Sequence, residues 1–307
     1  MQHGDSSLIS VIGGGAIGGY VTAMAHAAGW DVSLCVRTPI ERLRVVLGGK
    51  TLEVPVRIAV RPQTAPAPAD WVLVTTKAQD TASVAYWLDR LVGPRTVVAL
   101  LQNGIDHEQR IAPFLPVGTE VLPVLLDVIA ERVSPGHVIH HQGHRLSVPA
   151  TSPAAMRFTR LWSGTPVEVM REHDFTTAAW RKLFINIVAN PITALLRQRL
   201  GVLHRPGMVP LAEAILREAV AVGRAEGARV GEEDVRRTIE RYTAAPPDGG
   251  TSMLYDRLAE RPMEHEHITG AIVRAGERHG IPTPLNTMLL TLLRAIDRER
   301  DSDLIAS

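Results

Sequence analysis

One cysteine in 307 residues leaves no partner for an internal disulfide, so Cys35 points to a reducing, cytoplasmic setting. It falls in a predicted strand, where a buried structural thiol is expected rather than a reactive one. An excess of either charge is also missing: 33 Lys and Arg stand against 32 Asp and Glu, a formal net of +1. That balance gives neither nucleic acid nor an anionic membrane a reason to bind. No apolar run approaches the length of a bilayer-spanning helix. The opening residues MQHGDSS are polar and short, and read as neither signal peptide nor anchor. Internal repeats and low-complexity tracts are lacking too. What remains is a globular composition at a length that suits two domains of ordinary size.

The most informative stretch is LISVIGGGAIGG, from Leu8 to Gly19. An apolar run from Leu8 to Ile12 meets Gly13-Gly14-Gly15-Ala16-Ile17-Gly18, and helix-friendly residues then continue to Ala28, where Gly29 stops them. This reads as strand, tight turn, helix. The first glycine of the GxGxxG pattern permits the turn, the second lets a pyrophosphate approach, and the third lets helix and strand pack closely. Free N–H groups at the helix start would hold the phosphates. A second strand, Asp31 to Val36, supplies the context that the pattern needs.

That second strand ends in Arg37, while Asp31 sits at its opposite end. An acid closing the strand would grip the ribose hydroxyls of NAD; an arginine there accommodates the 2′-phosphate of NADP. NADPH is therefore the expected cofactor, with Arg42 and Arg44 able to share the task.

Strands and helices alternate through the first half. A hairpin or short pair is expected around Thr51–Val60, a proline-punctuated loop over 61–70, and a buried strand from Trp71 to Thr75. A helix over Gln79–Leu91, a strand over Thr96–Leu101 and a helix over Asp106–Phe114 follow. Val121–Ala130 and Gly136–His141 read as edge strands. Such alternation implies a parallel sheet with helices on both faces. From about Glu172 the strand signals stop. Helices are expected over Thr176–Arg199 (interrupted at Pro191), Pro210–Glu226, Glu232–Tyr242, Ser252–Ala259, Glu264–His279 and Pro284–Arg298. The boundary falls at residue 172, giving domains of 1–172 and 173–307, and the default place for a small ligand is between them.

Three stretches offer chemistry. Lys77 follows the strand ending Val74-Thr75-Thr76, and Gln102-Asn103-Gly104 follows the next one, both at carboxyl ends where ligands of open sheets bind. In the helical half, Lys182, Asn186 and Asn190 recur every fourth residue, which stacks one ammonium and two amides on one helix face. Apolar residues lie between them, so these groups need partners, either a ligand rich in oxygen or neighbouring helices.

Together these pieces resemble the ketopantoate reductase family. The residues that carry the likeness are the Gly13–Gly18 loop, Arg37, Lys77, Gln102-Asn103-Gly104, WRKLFINIVANPITAL from Trp180, TSMLYD from Thr251, RPMEHEHITG from Arg261, and the Gly280–Asn286 stretch. The resemblance implies an α/β architecture: a Rossmann-type parallel sheet that binds NADP, then an all-helical substrate domain similar to the C-terminal domain of 6-phosphogluconate dehydrogenase. It implies reduction of 2-dehydropantoate to pantoate with NADPH, on the route to pantothenate and coenzyme A. Lys182 would be the general acid, with Glu264 contacting it and the cofactor. Asn186, Asn190 and Ser252 would hold substrate, and Lys77 and Asn103 would line the nicotinamide side. A homodimer is compatible with this reading. The chain departs from the family pattern at Leu200, at Thr269 and over Leu125–Ala130, which bears on which 2-oxo acid is taken.

Two other readings stand beside it. A β-hydroxyacid or polyol-phosphate dehydrogenase shares the architecture, against which Arg37, Ser252 and Glu264 argue. A non-catalytic NADPH sensor would have no use for a proton donor such as Lys182. His137, His140, His141 and His144 crowd one strand-like segment, and His265 and His267 sit two apart on the expected helix. Alternation sends the first group to opposite faces, with no cysteine or nearby carboxylate to complete a site, and the second pair does not share a helix face, so no metal is expected. Arg294 to Arg300 reads as a solvated face.

Overall fold

The computed structural model describes residues 8–306, with side chains through Asp297; the MQHGDSS segment and the side chains of Arg298 and Arg300 lie outside that range. The chain divides into two compact units. The first holds the residues up to Gln102 together with Asp106–Phe175; the second holds Asn103–Ile105 and everything from Thr176 on.

The first unit is built on a six-stranded parallel sheet. Its strands are β1 (Leu8–Ile12), β2 (Asp31–Cys35), β5 (Arg57–Ala59), β6 (Trp71–Val74), β7 (Val97–Leu100) and β8 (Glu120–Pro123), arranged β5-β2-β1-β6-β7-β8. The sheet thus starts at β1 and is laid outward in both directions, so that the order reverses between β1 and β6. Alternation along the strands divides the interior. Ile9, Val11, Leu34 and Leu73 face α1 (Ala16–Ala27), whereas Ile12, Val72, Val74 and Val98 face α2 (Thr81–Leu91) and Ile111 of α3 (His107–Ile111). Helices therefore cover both faces, as the alternation implied. Cys35 is buried at the end of β2, where burial pushes its thiol up to about 12.

A second sheet was not foreseen. It runs β11-β10-β3-β4, with β9 paired to β10, and lies beyond α1, which packs between the two sheets. Here β3 is Leu43–Leu47, β4 Lys50–Val54, β9 Leu125–Ser134, β10 His137–Pro149 and β11 Glu168–Glu172. The expected pair around Thr51–Val60 is corrected: the hairpin joins β3 to β4 through the two-residue Gly48-Gly49 turn, and β5 goes to the other sheet. The single strand expected over Val121–Ala130 is likewise two. Pro123, which has no N–H to continue a ladder, ends β8, and the chain crosses to the second sheet as β9. The short α4 (Ala154–Arg160) and β11 carried no readable signal.

The second unit consists of α5 (Phe175–Leu196), α6 (Met208–Ala225), α7 (Glu232–Ala244), α8 (Ser252–Leu258), α9 (Thr269–His279) and α10 (Pro284–Ala306). Its core gathers Trp180, Phe184 and Ile187 of α5 with Ile215, Val235, Ile272 and Leu293. Pro191 does not end α5, because its neighbours Ala189, Ile192 and Ala194 are held in that core. Glu218 of α6 anchors α10: its carboxylate accepts the N–H groups of Leu285 (2.8 Å) and Asn286 (3.0 Å), and the Asn286 Nδ2 at 2.7 Å. No helix among the described residues is long and apolar enough to cross a membrane.

The segment Glu264–Ile268, expected to be helical, forms a turn, and α9 starts only at Thr269. Tertiary contacts hold it there. Met263 N–H reaches Asp297 Oδ2 at 3.4 Å, the His265 ring lies 3.3 Å from the same carboxylate, and Glu266 pairs with Arg294 at 2.5 and 2.8 Å. Arg294 thereby forms an ion pair on the solvated face, its side chain still 44% exposed.

Candidate active site

At the carboxyl end of the parallel sheet, β1 runs directly into the glycine turn. Gly13 has φ +116°, a conformation open to glycine, and its N–H donates to Cys35 O at 2.9 Å. A Cβ at Gly18 would stand 1.8 Å from Gly13 O, so no larger residue lets α1 begin so close to the turn. Thr75 completes the joint, its hydroxyl donating to the carbonyls of Ile12 (2.9 Å) and Gly13 (3.1 Å). Around Gly15, by contrast, a Cβ would meet nothing within 4 Å. Gly15 also caps α1 without any side-chain hydrogen bond. The first turn of α1 therefore presents backbone N–H groups to open space, which fits the phosphates of a dinucleotide.

The neighbouring strand ends complete this edge. Arg37 is exposed just past β2, beside the turn, whereas Asp31 opens β2 opposite Leu8. A guanidinium at this place fits a 2′-phosphate. Arg42 and Arg44 are engaged elsewhere: both reach Glu53 of β4, at 3.3 and 3.1 Å, and hold its carboxyl below the usual range. Lys77 begins the short turn after β6. The backbone there is held by Gln102, which is buried. Its Nε2 donates to Thr76 O at 3.0 Å and Thr76 Oγ1 at 3.1 Å, while its Oε1 accepts from Thr81 Oγ1 (3.3 Å) and Arg110 Nη2 (3.2 Å). The Gln102 carbonyl in turn accepts from His107 Nε2 at 2.8 Å. His107 is buried, and desolvation, followed by the nearby Arg110, pulls it down to about 4. It is neutral at pH 7, with its proton on Nε2. Gln102 is a fold-holding residue that the motif reading did not separate from Asn103, and His107, which holds its carbonyl, carried no signal in the sequence.

In the helical unit, α5 carries Lys182, Asn186 and Asn190 on one face. Lys182 and Asn186 are half-buried, and Asn190 is 3% exposed. Among the described residues the Asn186 and Asn190 side-chain amides find no hydrogen-bond partner, so the neighbouring-helix alternative is not realised for them. One turn on, Thr193 Oγ1 meets Thr251 Oγ1 at 2.7 Å. Thr251 caps α8 by accepting from Leu254 N–H at 3.1 Å. This bridge sets Ser252, exposed at the first position of α8, beside the α5 face. Thr193 and Thr251 were not singled out from the sequence, although a threonine before a short apolar run is a capping signal.

Glu264 is 3% exposed in its turn, and Asn103 Nδ2 donates to its Oε2 at 3.0 Å. Asn103 thus stands with the helical unit's carboxylate rather than with the strand end that precedes it. The histidines are placed differently from expectation. Four residues apart on β10, His140 and His144 share one face, stacked at 4.4 Å, with Tyr20 of α1 hydrogen-bonded to His144 Nδ1 at 2.7 Å. His141 reaches the Glu131 carboxylate at 3.1 Å. Among the described residues no group of three or more His, Cys, Asp or Glu is placed to hold a metal ion.

Comparison with known proteins gives this geometry a lineage. Residues 9–153 match the family described as Ketopantoate reductase PanE/ApbA, and residues 174–297 match its C-terminal part. The 2-dehydropantoate 2-reductase of Caulobacter vibrioides is 41% identical over 290 residues, covering 94% of this chain and 98% of that protein. The enzyme of the same name from Mycobacterium tuberculosis is 37% identical over 290 residues, covering 94% and 97%. Among solved structures, the PanE/ApbA family ketopantoate reductase from Ralstonia eutropha superposes with a TM-score of 0.88 at 29% identity, over 96% of this chain and 99% of that one. The dimeric ketopantoate reductase from Staphylococcus aureus shares the fold, with a TM-score of 0.84 at 24% identity over 95% and 99%. With both halves matched in order and the relatives aligned almost end to end, the chain belongs to the ketopantoate reductase family.

Proposed function

We propose that this chain reduces 2-dehydropantoate to pantoate with NADPH. The observation that carries the proposal is the 41% identity to a 2-dehydropantoate 2-reductase across nearly the full length of both chains. The first unit is then the nucleotide-binding domain, with the Gly13–Gly18 turn on the phosphates and Arg37 on the 2′-phosphate. Lys77 and Asn103 line the nicotinamide side. When bound, NADPH supplies a hydride to the carbonyl carbon of the oxo acid.

The residues of the helical unit do the rest. Lys182, as a cation with a proton to give, stabilises the charge that grows on the carbonyl oxygen and then protonates it. Glu264 keeps the lysine protonated, since a nearby opposite charge favours the charged forms of both. The bond from Asn103 fixes the rotation of the Glu264 carboxylate. Asn186, Asn190 and Ser252 orient the acid so that its carbonyl faces the incoming hydride. A homodimer, as described for the S. aureus relative, is the assembly proposed for it.

A panel of 2-oxo acids, ketopantoate included, followed by loss of NADPH absorbance, tests the reading. Oxidation with ketopantoate well above every other acid is expected. Silence with all of them refutes it. A related branched 2-oxo acid is the second reading, favoured by Leu200. It packs against the Pro246–Gly250 loop that leads to Ser252, its N–H donating to Gly249 O at 2.9 Å.

A further inference from the structure

The helix bearing Lys182, Asn186 and Asn190 has its backbone ladder entered by a residue of another helix. Tyr242, near the end of α7, is buried in the core of the helical unit. Its hydroxyl lies 2.8 Å from Ile185 O and 3.0 Å from Phe184 O, with the proton to share between those carbonyls. Ile185 and Ala189 are the two ends of one rung of α5, the bond that a regular helix makes from each N–H to the carbonyl four residues back. Tyr242 therefore engages the carbonyl end of that rung. Two residues later, Pro191 has no N–H for the rung to Ile187. The intervening rung joins Asn190 to Asn186. The Asn186–Asn190 rung thus lies between one whose carbonyl Tyr242 also holds and one that Pro191 leaves without an N–H.

Side chains and prolines that enter the ladder are among the few causes of local bending in helices. In a regular helix, residues four apart differ by about 40° in direction. Altering the rungs on either side changes that angle and the span between the amides. Tyr242 is itself fixed: His204 Nε2 bonds the Tyr242 carbonyl at 2.9 Å, and the ring is packed against its core neighbours. A buried tyrosine hydroxyl needs some partner. A mere space-filler, however, has no effect on which acid fits between Asn186 and Asn190.

We infer that Tyr242 and Pro191 form a positioning device that sets the spread of the Asn186 and Asn190 amides, and through it the size of 2-oxo acid accepted beside Lys182. This rests on the reading of both asparagines as substrate ligands. Neither Tyr242 nor Pro191 touches the substrate in this scheme.

Tyr242→Phe and Pro191→Ala test it, each measured in the full-length protein. The readout is the ratio of kcat/KM for ketopantoate to that for 2-oxobutyrate, a smaller acid. The ratio is expected to fall about tenfold in each variant, mainly through KM for ketopantoate, with NADPH affinity unchanged. Tyr242→Phe with a lowered Tm but the original ratio shows a structural filler and overturns the inference. If Tyr242→Phe does not fold, Pro191→Ala decides the matter by the same ratio. Amide hydrogen exchange gives a readout independent of activity: the Ala189 amide should exchange about tenfold faster in Tyr242→Phe. A wild-type chain that reduces neither acid sinks the proposed function, and unchanged exchange at Ala189 sinks the device on its own.

Discussion

His107 offers a pH experiment whose size follows from its surroundings. The ring is buried and bonded through Nε2 to the Gln102 carbonyl, and burial pulls its pKa from 6.5 to about 4. In the unfolded chain the same ring takes up a proton near pH 6.5. Folding therefore opposes protonation. The stability that this group contributes is complete above pH 6.5 and is lost as the pH falls from 6.5 toward 4. At 1.36 kcal/mol per unit the full effect is about 3 kcal/mol, of which about 2.5 kcal/mol is spent between pH 7.5 and 4.5. His107→Gln is the control, since its amide can still donate to the Gln102 carbonyl yet does not titrate. Urea unfolding of both proteins across that range, with the variant subtracted, removes the carboxylates common to the two. The wild type should lose about 2.5 kcal/mol more than the variant. Parallel curves would refute the argument, because they would mean that His107 is protonated as easily inside the protein as outside it.

Lys182→Ala should lower turnover of the preferred 2-oxo acid by roughly 100 to 10,000-fold, the usual worth of an acid catalyst, while NADPH fluorescence titration gives an unchanged Kd. Equal turnover would take the lysine out of the chemistry. Arg37→Glu should reduce the preference for NADPH over NADH by about tenfold or more, read as the ratio of kcat/KM values; an unmoved ratio shows that another group reads the phosphate. Gly18→Ala places a methyl 1.8 Å from Gly13 O and should abolish nucleotide binding, which titration with NADPH would detect. Glu218→Ala leaves the start of α10 without its carboxylate and should cost about 2 kcal/mol in chemical denaturation, with activity at 25 °C intact.

The parts of this fold that were legible in the sequence are those where one local rule decides. Gly13-x-Gly15-x-x-Gly18 between an apolar run and a helix is such a case, because the turn, the approach and the packing each exclude side chains. The four-residue spacing of Lys182, Asn186 and Asn190 is another, since helix geometry alone puts them on one face. The second sheet was hidden for the opposite reason. The burial of β10 depends on α1, β3 and β9, so its 13 residues show no simple alternation, and bulges shift their register at His140 and Gln142. The turn at Glu264 was hidden because its shape comes from Asp297 and Arg294, some thirty residues away. Gly48-Gly49 is a readable signal of the same local kind as the Thr251 cap: a two-glycine turn between two strand-like runs marks a hairpin. The roles of Gln102 and Tyr242 lie in hydrogen bonds to backbone atoms of distant segments, which no spacing of side chains records.

Cys35 has a practical consequence. The sulfur sits at the root of the glycine turn, shut away from reagents and reluctant to ionise. Alkylating agents and mild oxidants should leave the native enzyme untouched, and storage without a reducing agent should be harmless. A cysteine introduced on the surface would then be the only one to take up a dye or spin label, so that movements of the chain during turnover can be followed in an otherwise wild-type background.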